Sequence, residues 1–394
     1  MALSDSPIPA VASLRVPRIL FGTGVRSRLG EVVAELGVRR PLVVTDEFHA
    51  GNGVAAELTG YLSAAGAEVG LFSGTVPDPT STSVAAAVAA ATAHGADGVI
   101  GLGGGSPLDT AKAVALLAVR GGEMRAYKAP AVTTGHALPI VAVPTTAGSG
   151  SEATQFTIIT DDASAEKMLC VGPVFLPAVA VVDPGLTASM PARLTADTGI
   201  DALTHAVEAY VSRKATPLSD VFALRAMSLV AENLLSAHRD GDPVSRENMM
   251  LGSLLAGIAF SNASVALVHG MSRPLGVHFH VPHGLSNALL FAEVTRFSLT
   301  GAPERYADCA RALGLPEQSD PLAAGRALAD ELDRFARELA VPTLPELGVS
   351  VEDWQAAIPT MATQALDSGS PANNPVVPTH AEISELYERI HTGR

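Results

Sequence analysis

Cationic charge is scarce in this chain. Among its 394 residues Lys and Arg total 26 against 40 Asp and Glu, for a net charge of −14. A surface of that sign repels polyanions and lacks the basic footprint that nucleic-acid affinity needs, so nucleic acid is excluded as a partner. Lysine is scarcest, occurring only as Lys112, Lys128, Lys167 and Lys214, so a lysine beside a motif draws attention. Cysteine is nearly missing. Cys170 and Cys309 form no CxxC pair, which speaks against a disulfide framework or thiolate zinc site and fits a reducing cytoplasm. The first residues, MALSDSPIPAVASL, carry no basic n-region and no long apolar stretch, so no secretory signal is expected. Internal repeats, heptad seams and low-complexity tracts are also lacking. One long uncharged segment, Asn248 to Val268, approaches the length of a bilayer span. Ser253, Ser261, Asn262 and Ser264 interrupt it and no cationic flank orients it, so it reads as a buried helix rather than a membrane span.

Hydrophobic residues make up 47% of the chain and charged residues 17%, well away from the composition of disordered chains, and the length favours two domains. Short apolar, β-branched runs recur in the first half at Pro41–Thr45, Glu68–Phe72, Gly98–Leu102, Pro139–Val143 and Ala178–Val182. Ala-rich stretches of helical length lie between them, at Val54–Ala65, Ser81–His94 and Pro107–Val119, and that alternation predicts a parallel sheet with crossover helices. After Asp183-Pro184 the strand-like runs vanish and the remainder reads as all-helical. The turn formers at Leu186–Pro191 mark the boundary, giving an α/β domain over residues 1–186 and an all-α domain over residues 187–394.

Three glycines, Gly103 to Gly105, follow an apolar strand and precede Ser106-Pro107 at the start of a helix. Glycine lets backbone N–H groups approach an anion, Ser106 can cap, Pro107 suits a first turn and the helix dipole favours negative charge, so this is a phosphate cradle. It is no ordinary GxGxxG fingerprint, because Ser106 stands where the third glycine would fall. A second such turn, Pro144-Thr-Thr-Ala-Gly-Ser-Gly-Ser-Glu-Ala-Thr154, also follows a strand, with hydroxyls and glycines fit to line a nucleotide pocket. Asp46, at the end of the Leu42–Thr45 strand, is read either as an acceptor for a ribose hydroxyl that repels a 2′-phosphate or as a helix N-terminal acid.

Asp201 and His205 are spaced i, i+4, which puts carboxylate and imidazole on one helical face. Alone, such a pair is usually an ordinary surface or hydrogen-bonded pair. Residues 269–283 then hold four of the eleven histidines, His269, His278, His280 and His283, among Gly, Pro and apolar residues. His269 and His283 can complete with Asp201 and His205 a set of one carboxylate and three imidazoles suited to iron(II) or zinc.

GGGSPLDTAK at 103–112, PTTAGSGSE at 144–152, DALTHAVEAY at 201–210 and the paired His269 and His283 in HGMSRPLG…VPHG together resemble the iron-dependent, or group III, alcohol dehydrogenase family, over nearly the whole chain. The resemblance implies a dehydroquinate synthase-like architecture, an NAD(P)-binding first domain, a metal-binding helical domain and chemistry in the cleft between them. It maps the metal ligands onto Asp201, His205, His269 and His283. The cofactor positions fall on Asp46, Asp78, Gly104, Gly105, Ser106, Asp109, Thr145, Thr146, Ser149, Thr154, Lys167 and Leu186, Asp46 being the acid that favours NAD over NADP. Lys112 is expected to pair with an acid on its own helix. The departure is Arg273, where several members have a histidine that is thought to relay the alcohol proton. Arginine cannot serve as a base, so Arg273 reads either as a fork for an acidic aldehyde or as a contact to cofactor phosphate or a structural carboxylate. His278 and His280 are the imidazoles that could replace the relay, with packing or support of a ligand as the alternative for each.

The reading is an NAD-linked, metal-dependent dehydrogenase of small alcohols or aldehydes, acidic ones among them, in a cytoplasmic homo-oligomer. Two alternatives stand beside it. One is a sugar phosphate cyclase-like lyase, which needs more basic side chains than this chain offers; the other is a catalytically silent NAD- and metal-binding protein.

Overall fold

The computed structural model describes residues 13–164 and 166–392. The leader stretch falls almost wholly on residues 1–12, outside the described residues. The chain divides into two compact units, Val16–Met190 and the residues from Pro191 onward. Arg15 belongs with the second, its backbone N–H donating to Asn262 Oδ1 at 2.9 Å.

The first unit is built on strands β1 (Arg18–Phe21), β2 (Pro41–Val44), β3 (Gly70–Phe72), β4 (Gly98–Gly103), β5 (Ile140–Pro144) and β8 (Val179–Val182), all paired in parallel in the order β1-β8-β5-β4-β2-β3. Helices α1 (Leu29–Glu35), α2 (Glu47–Gly51), α3 (Val54–Ala64), α4 (Ser81–His94) and α5 (Gly105–Arg120) connect them. The central strands are apolar at nearly every position because both faces are covered. Val43, Ile100, Leu102, Val141 and Val143 pack toward Leu29, Val33, Leu58 and Leu62 of α1 and α3. Their neighbours Leu42, Val44, Val99 and Ile140 pack toward Ala87, Ala91, Ala111 and Val114 of α4 and α5. The chain runs from β2 out to β3 and returns to place β4 on the other side of β2, so a topological switch point lies between β2 and β4, where open α/β sheets bind ligands.

Two features escape a search for continuous apolar runs. One is β1, a short edge strand. The other is an antiparallel hairpin of β6 (Phe156–Asp161) and β7 (Glu166–Val171), whose residues alternate between buried and partly exposed because only one face is covered.

Among the described residues the second unit is helical throughout: α6 (Ala192–Val211), α7 (Pro217–Arg239), α8 (Pro243–Ala263), α9 (Leu267–Phe279), α10 (His283–Ser298), α11 (Pro303–Ala312), α12 (Pro321–Glu338), α13 (Val351–Asp367) and α14 (His380–Thr392). The single buried helix expected over Asn248–Val268 is a correction. The chain breaks at Ser264, which has φ 69°, and bends by 105° between α8 and α9. The break is stable because its backbone groups find partners: Asn373 Nδ2 donates to Val265 O at 3.0 Å, and a Glu208 carboxylate accepts from Ala266 and Val268 N–H at 2.9 and 2.6 Å. No single helix among the described residues is long and apolar enough to cross a membrane; α8 and α9 pass such a test only jointly, across that bend.

Gly284, near the start of α10, sits against the backbone of α6. A Cβ there would fall 2.2 Å from Asp197 O. Gly284→Ala is therefore expected to push α10 off α6 and cost about 1–3 kcal/mol in urea unfolding. Unchanged stability would mean that the two helices do not need this approach.

Candidate active site and metal centre

The bend between α8 and α9 has a consequence for the second unit's chemistry. It turns His269 of α9 back onto α6, where helical periodicity already puts Asp201 and His205 on one face. His283 opens α10 and completes the group. Asp201 Oδ1 lies 3.8 Å from His205 Nδ1, 3.5 Å from His269 Nε2 and 3.7 Å from His283 Nε2, and the four ligand atoms all fall within 4.8 Å of one another. A tetrahedral ion with bonds of about 2.0–2.2 Å needs ligand separations of about 3.3–3.6 Å, so these residues fit a divalent metal. Burial opposes the charge of Asp201, but the imidazoles of His205, His283 and His269 outweigh it and hold the carboxyl far below the usual carboxylate range. Asp201, His205 and His269 are buried, whereas the His283 side chain is 39% exposed and marks the open side.

Two supporting residues had escaped the motif reading. Glu208 Oε2 accepts from His269 Nδ1 at 2.7 Å, which leaves Nε2 as the nitrogen facing the group. Asn287 Nδ2 donates to Asp201 Oδ1 at 2.7 Å, while its buried Oδ1 has no partner among the described residues. Both were within reach of periodicity: Glu208 is three residues past His205 and Asn287 four past His283, each on its ligand's face.

In the first unit, the two glycine-rich turns leave the carboxyl ends of neighbouring strands β4 and β5, and Asp46 follows β2 on the other side of β4. Gly103 has φ 142°, and a Cβ on it would meet Pro107 Cγ at 2.5 Å. Helix α5 then begins at Gly105 with no side-chain cap, so Ser106 does not cap as expected: the extended glycines start the helix ahead of it. Uncapped N–H groups there suit a phosphate. The second turn faces the first, with Thr146 and Ser149 side chains 3.4 and 3.3 Å from where Cβ atoms of Gly104 and Gly105 would lie. Thr145 N–H donates to Gly103 O at 3.0 Å, and its buried hydroxyl has no partner among the described residues.

The remaining positions divide differently. Lys112 is fully buried and donates to Ser151 Oγ, Thr154 Oγ1 and Phe156 O at 2.9, 2.9 and 2.7 Å, with Asp109 on its own helix farther off at 3.9 Å. Asp109 accepts from Ser151 Oγ and Ile158 N–H at 2.7 and 2.9 Å. Asp109 and Thr154 thus act in the structure as struts beneath the second turn. Burial pushes the Lys112 ammonium down to about 8 and the neighbouring Glu152 carboxyl up to about 7. Leu186 packs into the core under the sheet. Lys167 Nζ reaches Asp78, a residue with φ 49°, at 2.8 Å. Asp46 caps α2: its Oδ1 accepts from both the backbone N–H and Nδ1 of His49, at 2.9 and 2.8 Å. Burial disfavours its charge, yet the His49 contacts win and keep its carboxyl below the ordinary value.

The three relay positions are not brought together. Arg273 lies one helical turn past His269 and on its face. His278 is nine residues past His269, half a rotation round α9, and its exposed ring meets Gln364 Oε1 of α13 through Nε2 at 3.0 Å. His280 is exposed and ends α9 in a left-handed conformation, three residues before His283.

Family models described as "Iron-containing alcohol dehydrogenase" and "Fe-containing alcohol dehydrogenase family, C-terminal" match residues 17–184 and 195–391. The chain is 37% identical to a lactaldehyde reductase of Escherichia coli over 371 residues, 93% of this chain and 96% of the relative. It is 38% identical to a 1,3-propanediol dehydrogenase of Klebsiella pneumoniae over 381 residues, 95% and 97% of the two chains. Among solved structures, a 1,3-propanediol oxidoreductase superposes with a TM-score of 0.93 at 36% identity, covering 96% of this chain and all of that one. A sulfoacetaldehyde reductase from Bifidobacterium kashiwanohense in complex with NAD+ superposes at 0.88 and 28% identity, covering 98% of this chain and 100% of that one.

Removal of Glu208 tests the support of His269. Glu208→Ala is expected to weaken metal binding about 10- to 100-fold, read by chelator competition, with Glu208→Gln losing less. Equal affinity in all three proteins would show that His269 keeps its orientation unaided.

Proposed function

The chain belongs to the iron-containing alcohol dehydrogenase family, and on that premise we propose how its residues divide the work of an NAD-dependent exchange between small aldehydes and primary alcohols. The observation that carries the reading is the convergence of Asp201, His205, His269 and His283, whose ligand atoms all lie within 4.8 Å of one another. These four hold a divalent metal. Bound there, it supplies Lewis acidity at the substrate oxygen, iron(II) being the ion in the family's name and zinc one that the same donors accept. Glu208 fixes the His269 ring and Asn287 steadies Asp201.

The first unit binds the dinucleotide. Uncapped N–H groups at the start of α5, with Thr145, Thr146 and Ser149 opposite, hold the pyrophosphate. Asp46 accepts from the adenosine ribose through Oδ2, and its negative charge disfavours a 2′-phosphate. Asp78 and Lys167 exchange their mutual ion pair for contacts to the cofactor, whereas Asp109 and Thr154 serve it indirectly through Lys112. Reduction consumes one hydride at the carbonyl carbon and one proton at its oxygen. Arg273 stays charged and cannot give that proton up. His280, exposed and without a hydrogen bond among the described residues, is the imidazole left to pass it. The fold also accepts aldehydes with an acidic group, as the name of the sulfoacetaldehyde-reducing relative indicates. Two buried free thiols suit a cytoplasmic enzyme, and a homo-oligomer is its commonest form.

Iron(II)-reconstituted protein is expected to oxidise NADH with short aldehydes, and to lose this with chelator or with His269→Ala. Metal and NADH binding without turnover on any aldehyde would overturn the reading in favour of a lyase or a silent binding protein. For Asp46→Ala, the ratio of kcat/KM for NADH over NADPH is expected to fall about tenfold or more, equivalent to about 1.4 kcal/mol; an unchanged ratio would leave Asp46 only its capping role.

A further inference from the structure

Arg273 is a cation without an anion. It follows His269 by four residues, so its side chain leaves the face of α9 that presents a metal ligand, about 5–6 Å along at Cβ. One hydrogen bond engages its guanidinium, from Nη1 to Ser370 Oγ at 3.3 Å. Its Nε–H is buried and has no partner, and it forms no ion pair among the described residues. Glu208 is the acid whose charge it feels, but that carboxylate already takes the N–H groups of Ala266 and Val268 and the ring of His269. A charge partly withdrawn from water without a counterion is unfavourable unless something else supplies one. This chain carries an excess of acids, 40 against 26 bases, yet among the described residues none forms an ion pair with the part-buried Arg273.

We propose that Arg273 is the anion subsite of the active centre, and that the preferred substrates are short aldehydes bearing a carboxylate, sulfonate or phosphonate. Two oxygens of that group take the remaining Nη–H groups as a two-pronged pair, which a planar guanidinium suits and an ammonium does not. The charged group takes no part in the redox step: hydride from NADH goes to the carbonyl carbon, one proton goes to its oxygen, and alcohol and NAD+ leave. The proposal rests on the dehydrogenase reading above and names which aldehydes satisfy it.

The test compares succinic semialdehyde and phosphonoacetaldehyde with neutral aldehydes of similar length, using iron(II)-loaded wild type, Arg273→Met and Arg273→Lys. Wild type is expected to favour the acidic aldehydes, and Arg273→Met to lower the acidic-over-neutral ratio of kcat/KM about a hundredfold, mainly through KM. Arg273→Lys should recover part of that ratio, since it restores charge without the fork. Calorimetry supplies a readout that needs no turnover: ethanesulfonate is expected to bind the loaded wild type and not Arg273→Met. Wild-type preference for neutral aldehydes, or an equal loss on both classes in Arg273→Met, overturns the proposal. So does a rise confined to the KM of NADH, which would assign the arginine to cofactor phosphate. Turnover of no aldehyde at all, with metal and NADH bound, sinks the parent reading as well, so the two failures can be told apart.

Discussion

The buried carboxylate of Glu208 is the point on which the helical unit turns. Only three residues separate the end of α8 from the start of α9, which runs off at 105°. Such a break exposes backbone N–H groups in an apolar interior, where each is costly if unmet. Glu208 meets two of them and spends its remaining capacity on the ring of His269. The same residue that makes the bend tolerable thus also decides which imidazole nitrogen faces Asp201. Because Glu208 rides on α6 with Asp201 and His205, the bend and the ligand set are held by one rigid helix.

The α/β unit solves a different problem by a related device. Its two glycine-rich turns are made of glycines and small hydroxylic residues, which specify conformation weakly on their own. Their shape is imposed from beneath. Lys112 ties Ser151 and Thr154 of the second turn and Phe156 of the hairpin to α5, and Asp109 adds Ser151 and Ile158. A lysine, the scarcest charged residue of the chain, is therefore fully buried under the cradle rather than exposed above it. A flexible surface is backed by a fully bonded polar core, so both turns can offer backbone N–H groups without collapsing.

Much of this was legible in the sequence. The five apolar runs became five of the sheet's strands, four of them because strands buried on both faces must be apolar throughout, while β1 and the β6–β7 hairpin were hidden by a short edge and by one-sided burial. The four metal ligands were legible because their spacing is a property of chemistry as well as of fold. His278 shows that sequence proximity to His269 is not spatial proximity: nine positions along α9 carry a side chain to the opposite face. Glu208 and Asn287 were missed because nothing in a motif separates a residue that holds a ligand from one that merely shares its helix. The inward turn of Asp109 and Thr154 depends on Lys112 reaching across from another element, which no local pattern encodes.

Charge balance links the metal group to Arg273. A divalent ion on Asp201 and three neutral imidazoles leaves one surplus positive charge, and Glu208, hydrogen-bonded to His269, cancels it at short range. A group built only to be neutral would stop there. Arg273 restores a positive charge one turn farther along α9, and its single hydroxyl partner, Ser370, brings none to offset it. An uncharged side chain would have been the less costly occupant of that position. The surplus is accounted for if the missing negative charge arrives with the substrate, so that the centre is electrically complete only when an anionic aldehyde is bound. The same imbalance works against a neutral aldehyde, which would leave the part-buried guanidinium unpaired in the complex.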